Sequence, residues 1–282
     1  MFNSIQSALN QIETLTGKHW MHEQVEMIRD TDPRNSILAT GDRRENLIHP
    51  LATAWLAGRD ELAMAELTGA RRFSEKTASI ALLGEIMASC TSLYGFKEQI
   101  ERLMDTNLYE TACCELIAAH GYLVEGWKVK FDAPDLLINA PGGEPEEEIV
   151  ARNYFITASG SKNHASEVGD ILKGIPDPGQ ALVAWFHNAG SGGVYRQGAL
   201  QENCPAETAK KQLCNSPFVS AVVLAQYQRL PGSAITIPAR KIDLAVNDSP
   251  RYPLPTGFNK TFFRQIQMRR AHSTGAKDIR II

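Results

Sequence analysis

The sequence is poor in cysteine: five residues in 282, an odd number without regular spacing, two of them adjacent at Cys113 and Cys114. That excludes a disulfide scaffold and points to reduced thiols in a cytosol. Long apolar runs are missing too. The longest, around Ala181–Phe186 and Val219–Ala225, stay under ten residues. A membrane-spanning helix needs about 20, so neither a span nor a membrane partner is expected. The N-terminal MFNSIQSALNQIE has no basic stretch followed by an apolar core. No secretory signal is therefore expected, and the expected location is cytoplasmic. Internal repeats and low-complexity tracts are absent, which excludes collagen-like, disordered and coiled-coil chains. The motifs GxxxxGK[ST], GxSxG, HExxH and CxxC do not occur, so the common phosphate-loop, serine-hydrolase and zinc signatures give no lead.

What is present is an ordinary globular composition, 43% hydrophobic and 22% charged, on a chain long enough for one large or two modest domains. The net charge of −3 conceals an asymmetry. Residues 1–100 carry 10 basic and 13 acidic groups, residues 101–200 carry 7 and 14, and residues 201–282 carry 12 and 5. The last stretch, Phe258–Ile282, holds Lys260, Arg264, Arg269, Arg270, Lys277 and Arg280 against Asp278 alone. A basic end on an acidic body suits the phosphates of DNA or RNA. It equally suits the acidic middle of its own chain, a second copy in a homodimer, or another protein.

Hydrophobic patterning divides the chain. Up to residue 105, stretches such as Asp60–Thr68 and Lys76–Ser92 are rich in Ala, Leu, Glu and Met and read as helix, with Gly69 and Gly95 as breaks. Asp32–Pro33 and Thr40–Asp42 read as turns. From Thr106, a plausible N-cap, a helix is expected to reach His120, with Gly121 as its left-handed stop. Trp127–Phe131 then alternates apolar with charged residues, as a half-buried strand does. Pro134–Ile138 and Glu148–Ile156 read as strands and Asn163–Lys173 as a helix. Ala181–Phe186 and Phe218–Tyr227 are apolar on both faces and so belong in the middle of a sheet, whereas Lys241–Val246 is more peripheral. Strands alternating with helices argue for an α/β core. The expected organisation is a helical region over 1–105, an α/β core over 106–256 and a basic tail over 257–282.

Several residues are candidates for chemistry. His19 and His22 have no third ligand nearby in sequence, and the glycine-rich Ala189–Gly193 lacks a phosphate-loop lysine. His187 ends a central strand, where ligands collect in α/β sheets. On a helix, Glu110 falls about 20° from Ile117 and about 40° from Cys114, so its carboxylate leans toward the apolar face. There it wants a basic side chain, backbone donors or a metal. Glu115, about 140° away from Glu110, is expected to face solvent. Asp135 follows Pro134 on a strand and faces opposite to Leu136 and Ile138. Two converging carboxylates would suit a divalent cation able to activate water on a phosphodiester.

The order of these features carries a resemblance. A helix with Tyr109–Glu110 leads to a strand, then Pro134–Asp135, a hairpin and a further strand. A helix and a buried strand follow, then Ser216–Leu224 and Asn247–Pro255. This resembles the restriction-endonuclease-like, or PD-(D/E)xK, superfamily over roughly residues 106–256. The resemblance implies a mixed sheet flanked by helices, with Asp135 and Glu110 as metal ligands and Mg²⁺ as the ion of an active enzyme. The family's (D/E)-x-K strand reads Glu148–Ile149–Val150–Ala151–Arg152 here. If Arg152 stands for the lysine, Val150 replaces the carboxylate; if Glu148 is the carboxylate, Val150 replaces the lysine. Glu148 and Arg152 share a face but lie about 13 Å apart. Arginine stays protonated and makes a poor base. The expectation is a nucleic-acid-associated protein with a degenerate nuclease-like core, in phage defence or genome maintenance. The alternatives are an active metal-dependent nuclease using Glu110, Asp135 and Glu148, and a protein-interaction module with no nucleic-acid role.

Overall fold

A computed structural model describes residues 2–31, 49–70, 73–133, 135–142, 148–156, 164–189, 206–229, 236–255 and 258. The helical expectation for the first part of the chain holds. Five helices precede residue 105 among the described residues: α1 (Phe2–Thr16), α2 (Lys18–Thr31), α3 (Pro50–Thr68), α4 (Glu75–Cys90) and α5 (Phe96–Leu103). Their apolar residues recur every three or four positions, as in Ile5, Ala8, Leu9 and Ile12 of α1, all buried. Gly69 closes α3 and Gly95 opens α5, both with left-handed backbone. The expected turns at Asp32–Pro33 and Thr40–Asp42 lie outside the described residues.

Helices α1 and α4 touch backbone to backbone at Gly84. A Cβ built there would stand 2.9 Å from the Ala8 carbonyl carbon and 3.1 Å from the Ala8 Cα. Gly84→Ala should therefore cost about 2 kcal/mol net, because overpacking outweighs the gain of about 1 kcal/mol in helix propensity. Urea unfolding of Gly84→Ala beside Gly174→Ala, whose Cβ meets nothing within 4 Å, checks it. Equal midpoints in the two variants would show that the helices separate at no cost.

Helix α6 (Tyr109–Val124) departs from the expected limits at both ends. Thr106 does not cap it. The chain instead turns at Asp105, whose Oδ1 accepts from Asn107 N (2.8 Å) and whose carbonyl accepts from Leu108 N (3.0 Å). Gly121 is not its stop either. The helix runs through Gly121 and ends at Gly126, where φ is 82°. There Gly126 N donates to Leu123 O (2.9 Å) and Trp127 N to Tyr122 O (3.0 Å). That is a Schellman closure, completed by the Tyr122 and Trp127 rings packing edge to face at 5.8 Å.

Six strands form one mixed sheet in chain order: β1 (Lys128–Asp132), β2 (Asp135–Asn139), β3 (Ile149–Ile156), β4 (Leu182–Ala189), β5 (Ala221–Arg229) and β6 (Thr236–Val246). β2 runs antiparallel to β1 and β3, while β3, β4 and β5 are parallel. Helix α7 (His164–Gly174) links β3 to β4, and α8 (Ala206–Leu213) precedes β5. As expected, β4 is central and buried from Ala181 to His187, and β6 lies at an edge. β5 begins after Phe218, because Ser216–Val219 closes a turn (Val219 N to Ser216 O, 3.1 Å). α8 went unforeseen; its exposed Lys210 and Lys211 leave only Ala209 and Leu213 to signal a buried side.

Strand register sorts the side chains. Leu137, Val150, Arg152, Tyr154, Leu182, Ala184, Phe186, Val222 and Leu224 share the face that packs with Val168 and Leu172 of α7 and Leu213 of α8. Ala151, Asn153, Trp185 and His187 point the other way, where Tyr122 meets Trp185.

The late segments are clasped together. Asn247 Nδ2 lies within hydrogen-bond reach of the carbonyls of Leu213 (3.2 Å), Ser216 (3.2 Å) and Val219 (2.9 Å). Ser220 Oγ donates to Tyr252 O (2.6 Å) and accepts from Leu182 N (3.2 Å). The chain divides into two compact units: Met1–Ile117 with Arg229–Ile237, and Ala118–Gln228 with Pro238–Ile282. No described helix is long and apolar enough to cross a membrane.

Candidate functional site

The hairpin register sets Asp135 of β2 directly opposite Arg152 of β3. Arg152 Nε donates to Asp135 Oδ1 (2.7 Å) and Nη2 to Oδ2 (2.6 Å), a bidentate pair with side chains 27% and 14% exposed. Both carboxylate oxygens are engaged by the planar guanidinium fork. The Asp135 hydrogen bonds hold Arg152 still more firmly protonated than usual. Two residues along the same face, Tyr154 stacks on Phe186 with ring centroids 5.3 Å apart. Burial pushes the Tyr154 hydroxyl up, and the neighbouring Arg152 partly offsets it. Tyr154 was not among the expected residues, although a strand's two-residue period places it beside Arg152.

The remaining candidates sit elsewhere. Val150 is buried in the core between the sheet and α7, where the family's carboxylate would stand. Glu148 lies beyond the Ile138–Ile149 pair, at the other end of β2 from Asp135. It pairs with Lys130 at 3.0 Å on the surface. Glu110 occupies the first turn of α6, half-buried, in the helical unit. A negative charge there complements the helix dipole. The deeply buried carboxylate of α6 is Glu115, 2% exposed, which corrects its expected place in solvent. Arg102 grips it through Nη1 to Oε2 and through Nη2 to Oε1 (3.0 Å), and Gln99 Nε2 donates to Oε2 (2.9 Å). The reason is α5, which packs over that side of a helix apolar most of the way round. Angular distance from Ile117 then says little about which side is outside.

His187 is a core residue. It is fully buried, its Nε2–H donates to Asn153 Oδ1 (2.7 Å), and its ring stacks on Trp185 at 5.8 Å. Trp185 Nε1 in turn donates to Tyr122 OH (3.0 Å). Burial lowers the His187 pKa to about 3, so the ring is neutral at pH 7. His19 pairs with Glu23 on the surface of α2. Ala189 is the last residue of β4, and Gly190–Gly193, Pro134, and Lys260, Arg264, Arg269 and Arg270 lie outside the described residues. The described cysteines, Cys90, Cys113, Cys114 and Cys214, are free thiols.

A magnesium ion wants several hard oxygen ligands in near-octahedral array. Among the described residues no group of three His, Cys, Asp or Glu side chains is placed to hold a metal. At Asp135 the guanidinium already occupies both oxygens and Val150 offers none. The residues present do not fit the ion. What the arrangement does supply is a fixed, half-buried positive charge whose counter-charge sits on the adjacent strand. No protein-family model, curated protein or solved structure matches this chain.

Proposed function

We propose that this chain is a nucleic-acid-associated protein, acting in phage defence or genome maintenance, on a restriction-endonuclease-like core that no longer hydrolyses. The observation that carries the reading is the Asp135–Arg152 ion pair on paired strands, with apolar Val150 beside it. The element order supports it: α6, the β1–β2–β3 antiparallel run, α7, then β4 parallel to β3 is the order the resemblance implies. A bidentate pair that satisfies its own charges has little call for a cation. Binding would then rest on the basic residues after Phe258.

The test is binding of single-stranded DNA, duplex DNA and RNA between about 50 and 200 mM salt, beside plasmid degradation with Mg²⁺ and Mn²⁺. Salt-sensitive binding is expected, and no metal-dependent cleavage. Phe258 packs on Trp127 at 5.5 Å and is buried, so the tail truncation should begin at Asn259. Removing the tail should reduce the salt slope by about one for each phosphate that its lysines and arginines neutralise. Asp135→Ala should lower the melting temperature without altering any cleavage. Cleavage abolished in both Asp135→Ala and Glu110→Ala, at unchanged melting temperatures, would establish a live nuclease. Absence of any binding would favour the interaction module.

A further inference from the structure

We propose that His49 is an acid-released latch of the helical unit, its ring capping α3 only while Nδ1 carries no proton. His49 stands at the N-cap of α3 with extended backbone (φ −74°, ψ 130°) and is 2% exposed. Its Nδ1 accepts from Leu51 N (3.1 Å), and its carbonyl accepts from Thr53 N (3.1 Å). From α2, Gln24 Oε1 accepts the His49 backbone N–H (3.3 Å), and the Trp20 ring meets the imidazole edge to face at 5.1 Å. From α6, Tyr109 does the same at 5.2 Å. One ring thus ties together the start of α3, the middle of α2 and the start of α6.

The usual caps, Ser, Thr, Asp and Asn, accept the helix N–H at any neutral pH. Histidine makes the same bond conditional. A proton on Nδ1 would turn the acceptor into a donor facing the Leu51 N–H, and would place a charge in a buried setting. Nε2, buried and without a hydrogen-bond partner among the described residues, cannot take over the capping. The groups facing the ring are Trp20 and Gln24 from α2, Tyr109 from α6, and Asp105 from the turn before α6. Only Asp105 carries charge, and it favours the proton. Burial outweighs it and lowers the His49 pKa to about 4. The latch therefore holds above the ordinary histidine value of 6.5 and weakens as the pH falls from there toward 4.

Hydrogen exchange of the full chain, corrected for intrinsic rates, tests this between pH 7 and pH 4.5. Amides at the start of α3, Leu51 to Trp55, should lose protection by about tenfold or more in the wild type. His49→Asn keeps an acceptor that does not titrate; its protection should match wild type at pH 7 and change less than about twofold on acidification. If that variant fails to fold, Asp105→Asn carries the test, since losing the facing charge should move the onset to lower pH. Unchanged wild-type protection at pH 4.5, an equal acid response in His49→Asn, or an unmoved onset in Asp105→Asn would overturn the proposal.

Discussion

Arg102→Met is expected to cost the protein about 3–5 kcal/mol, because it strands the Glu115 carboxylate in a buried site. Glu115 is 2% exposed, and Gln99 alone would remain to solvate it. Arg102 itself is only 16% exposed at the side chain, so water cannot readily replace it. The double variant Arg102→Met/Glu115→Leu should regain most of the loss, since burying apolar groups of similar size avoids the desolvation both charges pay. Urea unfolding of the wild type, the single and the double variant gives the comparison. A single variant within about 1 kcal/mol of wild type would mean the pair is solvated like a surface salt bridge.

Acidification should be nearly as damaging, through His187. Its folded pKa is about 3 against 6.5 for a free side chain, so protons bind the unfolded chain first. Stability is then fully present above about pH 6.5 and falls by about 1.4 kcal/mol per unit as the pH drops toward 3. Between pH 7 and pH 5 this amounts to about 2 kcal/mol from His187, and the capping histidine of α3 acts in the same direction. Trp185, stacked on His187, supplies a fluorescence signal for the unfolding. Because most unpaired carboxylates remain ionised above pH 5, stability that stays level over that range would show that His187 is hydrated in the folded state.

The sheet was legible in the sequence for simple reasons. Val129 and Phe131 alternate with Lys128 and Lys130, and the runs through Trp185 and Val223 are apolar on both faces, patterns that only an edge strand and interior strands satisfy. Register was harder. Asp135 and Arg152 are 17 positions apart, and nothing local says they lie opposite one another until the hairpin fixes its pairing. Helix α6 misled for a different reason: with so few polar residues, neither its outer side nor its end is marked by periodicity. Its true stop, Gly126, differs from Gly121 only in the residues on its C-terminal side. Trp127 can fold back on Tyr122, whereas Gly121 precedes three more residues that prefer to stay helical. His49 could have been noticed, since it immediately precedes Pro50, a residue common at the first position of a helix.

The Asn247 clasp constrains the order in which the sheet can mature. The carbonyls of Leu213, Ser216 and Val219 await a side-chain amide that lies 28 to 34 positions further along the chain. Ser220 likewise awaits the carbonyl of Tyr252, 32 positions on. A nascent chain that has emerged only as far as β5 therefore presents a turn with unmet acceptors beside an apolar strand. Such a species is prone to self-associate. Closure comes late and over long sequence separations, which slows folding. The yield of native protein during synthesis thus depends on how soon residues 247–252 arrive, and a pause in translation before them would lengthen the vulnerable interval.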